Sequence, residues 1–238
     1  MLYSDFKSIY KKISLDLNLK NQNEIIAATA LNKILKKFDL LSFEELKNKI
    51  EGKEILVFGA GSSLEKSILE LKDKVKNKVI ISADGATSAL MINNILPDII
   101  VTDLDGEIDD QIKANKKGSY ILVHAHGDNI EKVKKFVANF DRNILGTTQI
   151  NSDSYDNLEN FGGFTDGDRA VFLADHFKAK SITLVGFDFD GRIGKYSFPE
   201  NKDIKFKLKK LRWCEYLIDY LHKKNSKITF YQSNKEIL

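Results

Sequence analysis

The chain has 238 residues, 42% of them hydrophobic, enough for a full-sized core with a smaller segment beside it. Its 37 Lys and Arg against 34 Asp and Glu leave a formal net charge of +3, far from the strong basic excess of a nucleic-acid binder. A single cysteine, Cys214, excludes an internal disulfide framework, and no apolar run is long enough to span a bilayer.

The opening residues lack the basic-then-apolar order of a secretion signal. Together with the lone cysteine, this predicts a cytoplasmic protein with no membrane and no nucleic-acid partner. Residues 1–50 contain no strand-like run. Apolar residues recur at helical spacing through Ile25, Ala28, Leu31, Leu35 and Phe38, and again through Phe43, Leu46 and Ile50. Two or three helices packed onto a main domain over residues 51–238 are expected.

From Glu54 the pattern changes to short apolar runs: 55–58, 79–81, 99–101, 120–123, 143–145, 182–185 and 228–230. Such runs suit strands buried on both faces. Most are separated by amphipathic helical stretches, such as Leu64 to Val75 and Asp128 to Phe140. The predicted architecture is α/β: a three-layer, doubly wound, mostly parallel sheet with an N-terminal helical appendage.

In such sheets ligands sit beyond the carboxyl ends of the strands, and here those ends carry glycines, carboxylates and imidazoles. The first gives Gly59-Ala60-Gly61-Ser62-Ser63, a tight turn in which Ser62 would cap a helix and Glu65 complete a capping box. Its amide groups suit a phosphate, though an ordinary strand-to-helix turn reads equally well. The second gives Asp84-Gly85-Ala86, and the third Thr102-Asp103-Leu104-Asp105-Gly106.

Asp103 and Asp105, two apart on an extended segment, would point the same way and reach one cation. A hard ion such as Mg²⁺ takes few protein carboxylates and keeps room for phosphate oxygens. The competing reading is a pair of helix-capping acids. After the fourth strand come His124 and His126, both able to meet a ligand, although His126 or Asp128 could instead cap the next helix.

Further on, Gly162-Gly163-Phe164-Thr165-Asp166-Gly167-Asp168-Arg169-Ala170 opens an apolar helix, with glycines allowing close approach to a ligand. One of Asp166 and Asp168 would cap that helix and the other reach metal, with Asp168 favoured for the metal. Asp188 follows the sixth run, and Lys195 stands in a loop just beyond it, placed to meet a phosphate. The basic run from Lys205 to Arg212 reads as a mostly solvated helix face.

Several of these motifs together resemble a known family. Ala83-Asp84-Gly85-Ala86, then Pro97-Asp98 leading to Asp103-Leu104-Asp105, resembles the thiamine pyrophosphokinase catalytic domain. The order Gly-Ala-Gly-Ser-Ser, Asp-x-Asp-Gly, His-x-His-Gly-Asp, Gly-Gly-Phe-Thr-Asp-Gly-Asp-Arg-Ala and Gly-Lys-Tyr-Ser is similar to the archaeal 6-hydroxymethyl-7,8-dihydropterin diphosphokinases. That resemblance implies an Mg²⁺-dependent transfer of diphosphate from ATP to a reduced pterin's hydroxymethyl group, releasing AMP, in methanopterin or folate-type cofactor synthesis.

It further implies roles. Asp103 and Asp105 would bind Mg²⁺, with Asp168 or Asp166 as a further ligand or orienting the hydroxyl. Gly59, Gly61, Ser62 and Ser63 would hold phosphate, and Asp84, Gly85 and Ala86 the nucleotide. Gly163 and Thr165 would line the ligand site with His124 and His126. Lys195 would neutralise charge on bridging oxygens, and Asp188 would meet the pterin's aminopyrimidine edge. Related domains occur in proteins tied to surface-glycan transfer, so the acceptor is not fixed by fold. Partners would be small molecules, with a homodimer as the assembly to be considered.

Three rival readings fit parts of the same sequence. A haloacid-dehalogenase-like phosphatase would use Asp103 as nucleophile, but Glu107 stands where that family has Thr. A nicotinamide oxidoreductase would use residues 59–63 with Asp84 on the ribose. A non-catalytic nucleotide sensor would bind ATP and transfer nothing.

Overall fold

Each of the seven apolar runs forms a strand in the computed structural model, which describes residues 3–197, 203–224 and 227–232. The strands are β1 (Glu54–Phe58), β2 (Val79–Ala83), β3 (Ile99–Thr102), β4 (Tyr120–Ala125), β5 (Ile144–Thr148), β6 (Leu158–Glu159), β7 (Ser181–Val185) and β8 (Ile228–Phe230). Only β6 has no counterpart in the sequence reading; two residues long, it is too short to show a period.

The strands form one sheet in the order β6-β5-β4-β3-β2-β1-β7-β8, with every pairing parallel. From β1 the chain steps outward one neighbour at a time to β6, then returns to pair β7 on the far side of β1. The topological switch therefore lies between β1 and β7, where the strand ends splay and leave a crevice.

Alternate side chains of the inner strands feed two layers. Leu56, Phe58 and Ile80 pack with Leu64 and Ile68 of α4 (Leu64–Leu71) and Leu90 of α5 (Ala86–Ile92). Ile55, Val57 and Ile81 face the other way, into the main cluster with Val171 and Phe172 of α8 (Asp166–His176) and Leu217 and Ile218 of α9 (Ile204–Lys224). The remaining crossovers are α6 (Ile108–Lys116) and α7 (Ile130–Phe136).

The amino-terminal helices are α1 (Tyr3–Asp16), α2 (Asn21–Leu35) and α3 (Phe43–Ile50). They belong to the main core. Ala27, Ala28, Leu31 and Leu35 of α2 are buried where that helix packs on β4, β5 and α7. Phe6 of α1 lies edge-on to Phe172, with ring centroids 6.2 Å apart. The expected N-terminal helices are present, and their buried residues share one hydrophobic cluster with the sheet. The α2 stripe is also rotated from its expected setting: Ile25 is 44% exposed and Glu24, at 3%, takes the buried position. No described helix is long and apolar enough to cross a membrane.

Candidate active site

Three acids meet at the carboxyl edge of the sheet. Asp84 follows β2, Asp103 follows β3 and Asp166 opens α8, and one carboxylate oxygen from each lies within 4.8 Å of the others. Asp84 adopts a left-handed φ of 43°. That turn aims its Oδ1 at Thr102 Oγ1 (2.8 Å), the Gly106 amide (3.0 Å) and Gln111 Nε2 (3.0 Å), all of which donate to it. Asp103 is held by His126, whose Nε2 stands 3.3 Å from Oδ2, and by the Asp105 amide on Oδ1. His126 Nδ1 accepts from the Asp128 amide, so the ring proton belongs on Nε2, facing Asp103.

Asn129 pins this corner: its Nδ2 donates to the carbonyls of Asp103 and His124, and its Oδ1 accepts from the His126 amide. Asp166 is half-buried, and its carboxyl pKa is pushed well up, first by desolvation and then by Asp103, against the opposing pull of Arg169. Three converging acids of which one is desolvated are costly unless positive charge joins them. The donor set, all carboxylate oxygen, fits a hard divalent cation such as Mg²⁺.

The expected partner acids fall elsewhere. Leu104 takes a left-handed φ of 66° and buries its side chain, so the segment is not extended; Asp105 lines the same cavity as Asp103 but is not one of the three converging acids. Asp105 reaches Lys132 Nζ at 2.6 Å on the cavity rim. Asp168 is fully buried and accepts from the Phe164 and Thr165 amides and Thr165 Oγ1. It is therefore the acid that caps α8, with a pKa raised by burial to about 6. The cap falls to Asp168, and the acid of this pair that converges with Asp84 and Asp103 is Asp166.

His124 is buried behind His126, bonded to Thr147 Oγ1, and kept neutral by burial and by Arg169. The cap of α7 is Asn129 rather than His126 or Asp128. Gly163, at a φ of 86°, leaves room for the backbone of Arg169, 2.7 Å from where a Cβ would stand, so its close approach is to α8 and not to a ligand.

The triad opens into a cavity of about 490 Å³ that runs to the switch point. Gly59, Gly61, Gly85, Thr165 and Asp188 line it; Ala86 is buried in the core, and Ser62 and Ser63 do not line it. Asp188 accepts from the Ser63 amide at 2.7 Å and from both serine hydroxyls. A carboxylate thus holds the start of α4, the place assigned to phosphate, and neither Ser62 nor Ser63 caps that helix through its side chain. Gly61 is required there, because a Cβ would stand 2.4 Å from the Gly186 carbonyl and 2.5 Å from Asp188.

Lys195 is 75% exposed at its side chain, pairs with Glu65 and does not line the cavity. The cations that do are Arg192, Lys207 and Lys210. The last two come from the first turns of α9, interleaved with Phe206, Leu211 and Cys214, and Lys207 Nζ donates to the Ser197 carbonyl at 2.7 Å.

The family model described as 6-hydroxymethylpterin diphosphokinase MptE-like matches residues 17–194. This chain belongs to that family. It is 46% identical to the 6-hydroxymethyl-7,8-dihydropterin pyrophosphokinase of Methanocaldococcus jannaschii, over 92% of this chain and 95% of that one. It is 42% identical to the enzyme of the same name from Pyrococcus furiosus, over 93% and 94%. Among solved structures, the MAf glycosyltransferase from Magnetospirillum magneticum AMB-1 matches 72% of this chain and 28% of its own at 16% identity and TM-score 0.44. That likeness says nothing of the acceptor.

The family assignment makes this chain a diphosphotransferase and leaves the phosphatase, oxidoreductase and sensor readings without support. Several residues that line the cavity or bond to its acids' surroundings are not singled out by the sequence. Lys207 and Lys210 were absorbed into a basic run. Their signal was the aromatic Phe206 and the apolar Leu211 beside them, which a fully solvated face does not need. Asn129, Gln149 and Glu24 carried no motif of their own.

Proposed function

We propose that this chain transfers diphosphate from ATP to the hydroxymethyl group of 6-hydroxymethyl-7,8-dihydropterin with the help of Mg²⁺, releasing AMP. What carries the reading is the triad of Asp84, Asp103 and Asp166 opening onto a cavity large enough for a triphosphate and a small planar acceptor, in a chain of this family.

The acceptor oxygen attacks the β-phosphorus and loses its proton, the bond from that phosphorus to the α–β bridging oxygen breaks, and AMP leaves with that oxygen. Catalysis of this kind is mostly positioning and charge neutralisation. Asp84, Asp103 and Asp166 would hold Mg²⁺, which neutralises charge on phosphate oxygens when bound. His126 and Asn129 keep Asp103 aimed inward. Lys207 and Lys210 line the same cavity and would meet the triphosphate, and Asp105 and Asp128, which also line it, would stand near the attacking hydroxyl. The aromatic side of the cavity, with Phe187 and Phe206, suits a flat ring.

The test is to mix the chain with ATP, Mg²⁺ and the pterin and separate the nucleotides. AMP in equal amount to diphosphorylated pterin is expected. ATP consumed with no pterin product would move the acceptor elsewhere, and no AMP with any acceptor would overturn the reaction.

A further inference from the structure

A buried polar line runs from the acid triad back to the amino-terminal helices. Arg169, in the first turn of α8, donates Nη1 to Asp166 Oδ1 (3.2 Å) and Nη2 to Gln149 Oε1 (3.0 Å). Gln149, directly after β5, donates Nε2 to Glu24 Oε2 on α2 (2.8 Å). All three side chains are buried. A charged or amide group in such a place is tolerated only when its partners are in place.

The chemistry gives the line a direction. Gln149 has a donor end and an acceptor end, and the Glu24 carboxylate can only accept. Glu24 therefore sets the amide with its oxygen toward Arg169. Without Glu24 the amide can turn, presenting its NH₂ to a guanidinium that has only donors to offer. Arg169 Nε has no hydrogen-bond partner among the described residues. The guanidinium fork is thus fixed by its two terminal nitrogens alone, and losing Gln149 leaves it hinged on Asp166.

We propose that Glu24, Gln149 and Arg169 are positioning residues that set the Asp166 carboxylate for the cation; this rests on reading Asp84, Asp103 and Asp166 as the cation site. Glu24 thereby makes the amino-terminal helical layer part of the active site. The outer partners of metal ligands commonly matter at this level, costing about 10–100-fold in affinity or activity when removed.

The experiment titrates Mn²⁺, as a spectroscopic stand-in for Mg²⁺, into the full chain without nucleotide and reads free Mn²⁺ by paramagnetic resonance, with circular dichroism melts alongside. Glu24→Ala and Gln149→Leu should each weaken binding by roughly tenfold or more. Glu24→Gln, whose amide oxygen can still accept from Gln149, should recover most of the affinity. Glu24→Ala added to Arg169→Met should weaken binding no further than Arg169→Met alone, since residues acting through one another are not additive.

Wild-type affinity in folded Glu24→Ala, additive losses in the double variant, or Glu24→Gln as damaging as Glu24→Ala would each overturn the proposal. Should Glu24→Ala not fold, Gln149→Leu and Glu24→Gln decide on the same terms. A wild-type chain that binds no Mn²⁺ would instead overturn the cation reading, and the proposal with it.

Discussion

Asp166 and Asp168 sit two residues apart at the head of one helix and do opposite work. Asp168 reaches back to the amides of Phe164 and Thr165 just before the helix, whereas Asp166 turns toward Asp84 and Asp103. Asp166→Asn should therefore cut turnover by roughly a hundredfold or more, with loss of cation affinity and little change in melting. Asp168→Asn should act mainly on stability, at about 1 kcal/mol for a weakened cap, seen as a melting point lower by a few degrees.

The raised pKa of Asp166 gives a pH dependence with a definite sign. Burial and Asp103 favour its protonated form, and a cation must displace that proton. Cation affinity should rise with pH until Asp166 is fully ionised, and isothermal titration at several pH values checks it; affinity that falls as pH rises would contradict the account. The motif residues were legible in sequence because each strand end is marked by Gly, Asp or His. Which acids converge was not, since that depends on the left-handed turns at Asp84 and Leu104, two non-glycine residues that carry no sequence mark for such a conformation.

At the scale of elements, the strands were the easiest part to read, because a parallel sheet covered on both sides makes continuous apolar runs. Helix α9 opens on Ile204, which is exposed, and its basic run reads from sequence as a solvated face. The buried face begins at Cys214, Leu217, Ile218 and Leu221, while the first turns form a cavity wall carrying Lys207 and Lys210. Whether a lysine faces solvent or an acid-lined cavity is set by tertiary packing, which the helical period alone does not reveal.

Lys210→Ala should raise the KM for ATP by roughly tenfold, the loss of one charge-assisted contact. Lys195→Ala, removing an exposed pair with Glu65, should leave KM and kcat within about twofold. Steady-state kinetics on the two variants separate these cases, and the reverse order would return the phosphate-facing role to Lys195.

At the scale of the whole molecule, the amino-terminal helices and the sheet share one core, with Leu31 and Leu35 fully buried in the same cluster as Val123 and Ile144. Leu31→Ala should cost about 2–5 kcal/mol, lowering a single cooperative denaturation transition rather than splitting it in two. The sequence marked a change of texture near residue 54, from helical spacing to strand runs. It carried no sign that the two textures would interlock, because shared burial is a property of the folded pair. The same interlocking brings Glu24 within reach of the active site.

The most direct test of the account is the product of ATP turnover, by the wild-type chain and by Asp166→Asn, with Mg²⁺ and 6-hydroxymethyl-7,8-dihydropterin present. The account predicts AMP matched by diphosphorylated pterin, with the rate in Asp166→Asn lower by roughly a hundredfold or more. ADP in place of AMP, or an Asp166→Asn variant as fast as wild type, would contradict it.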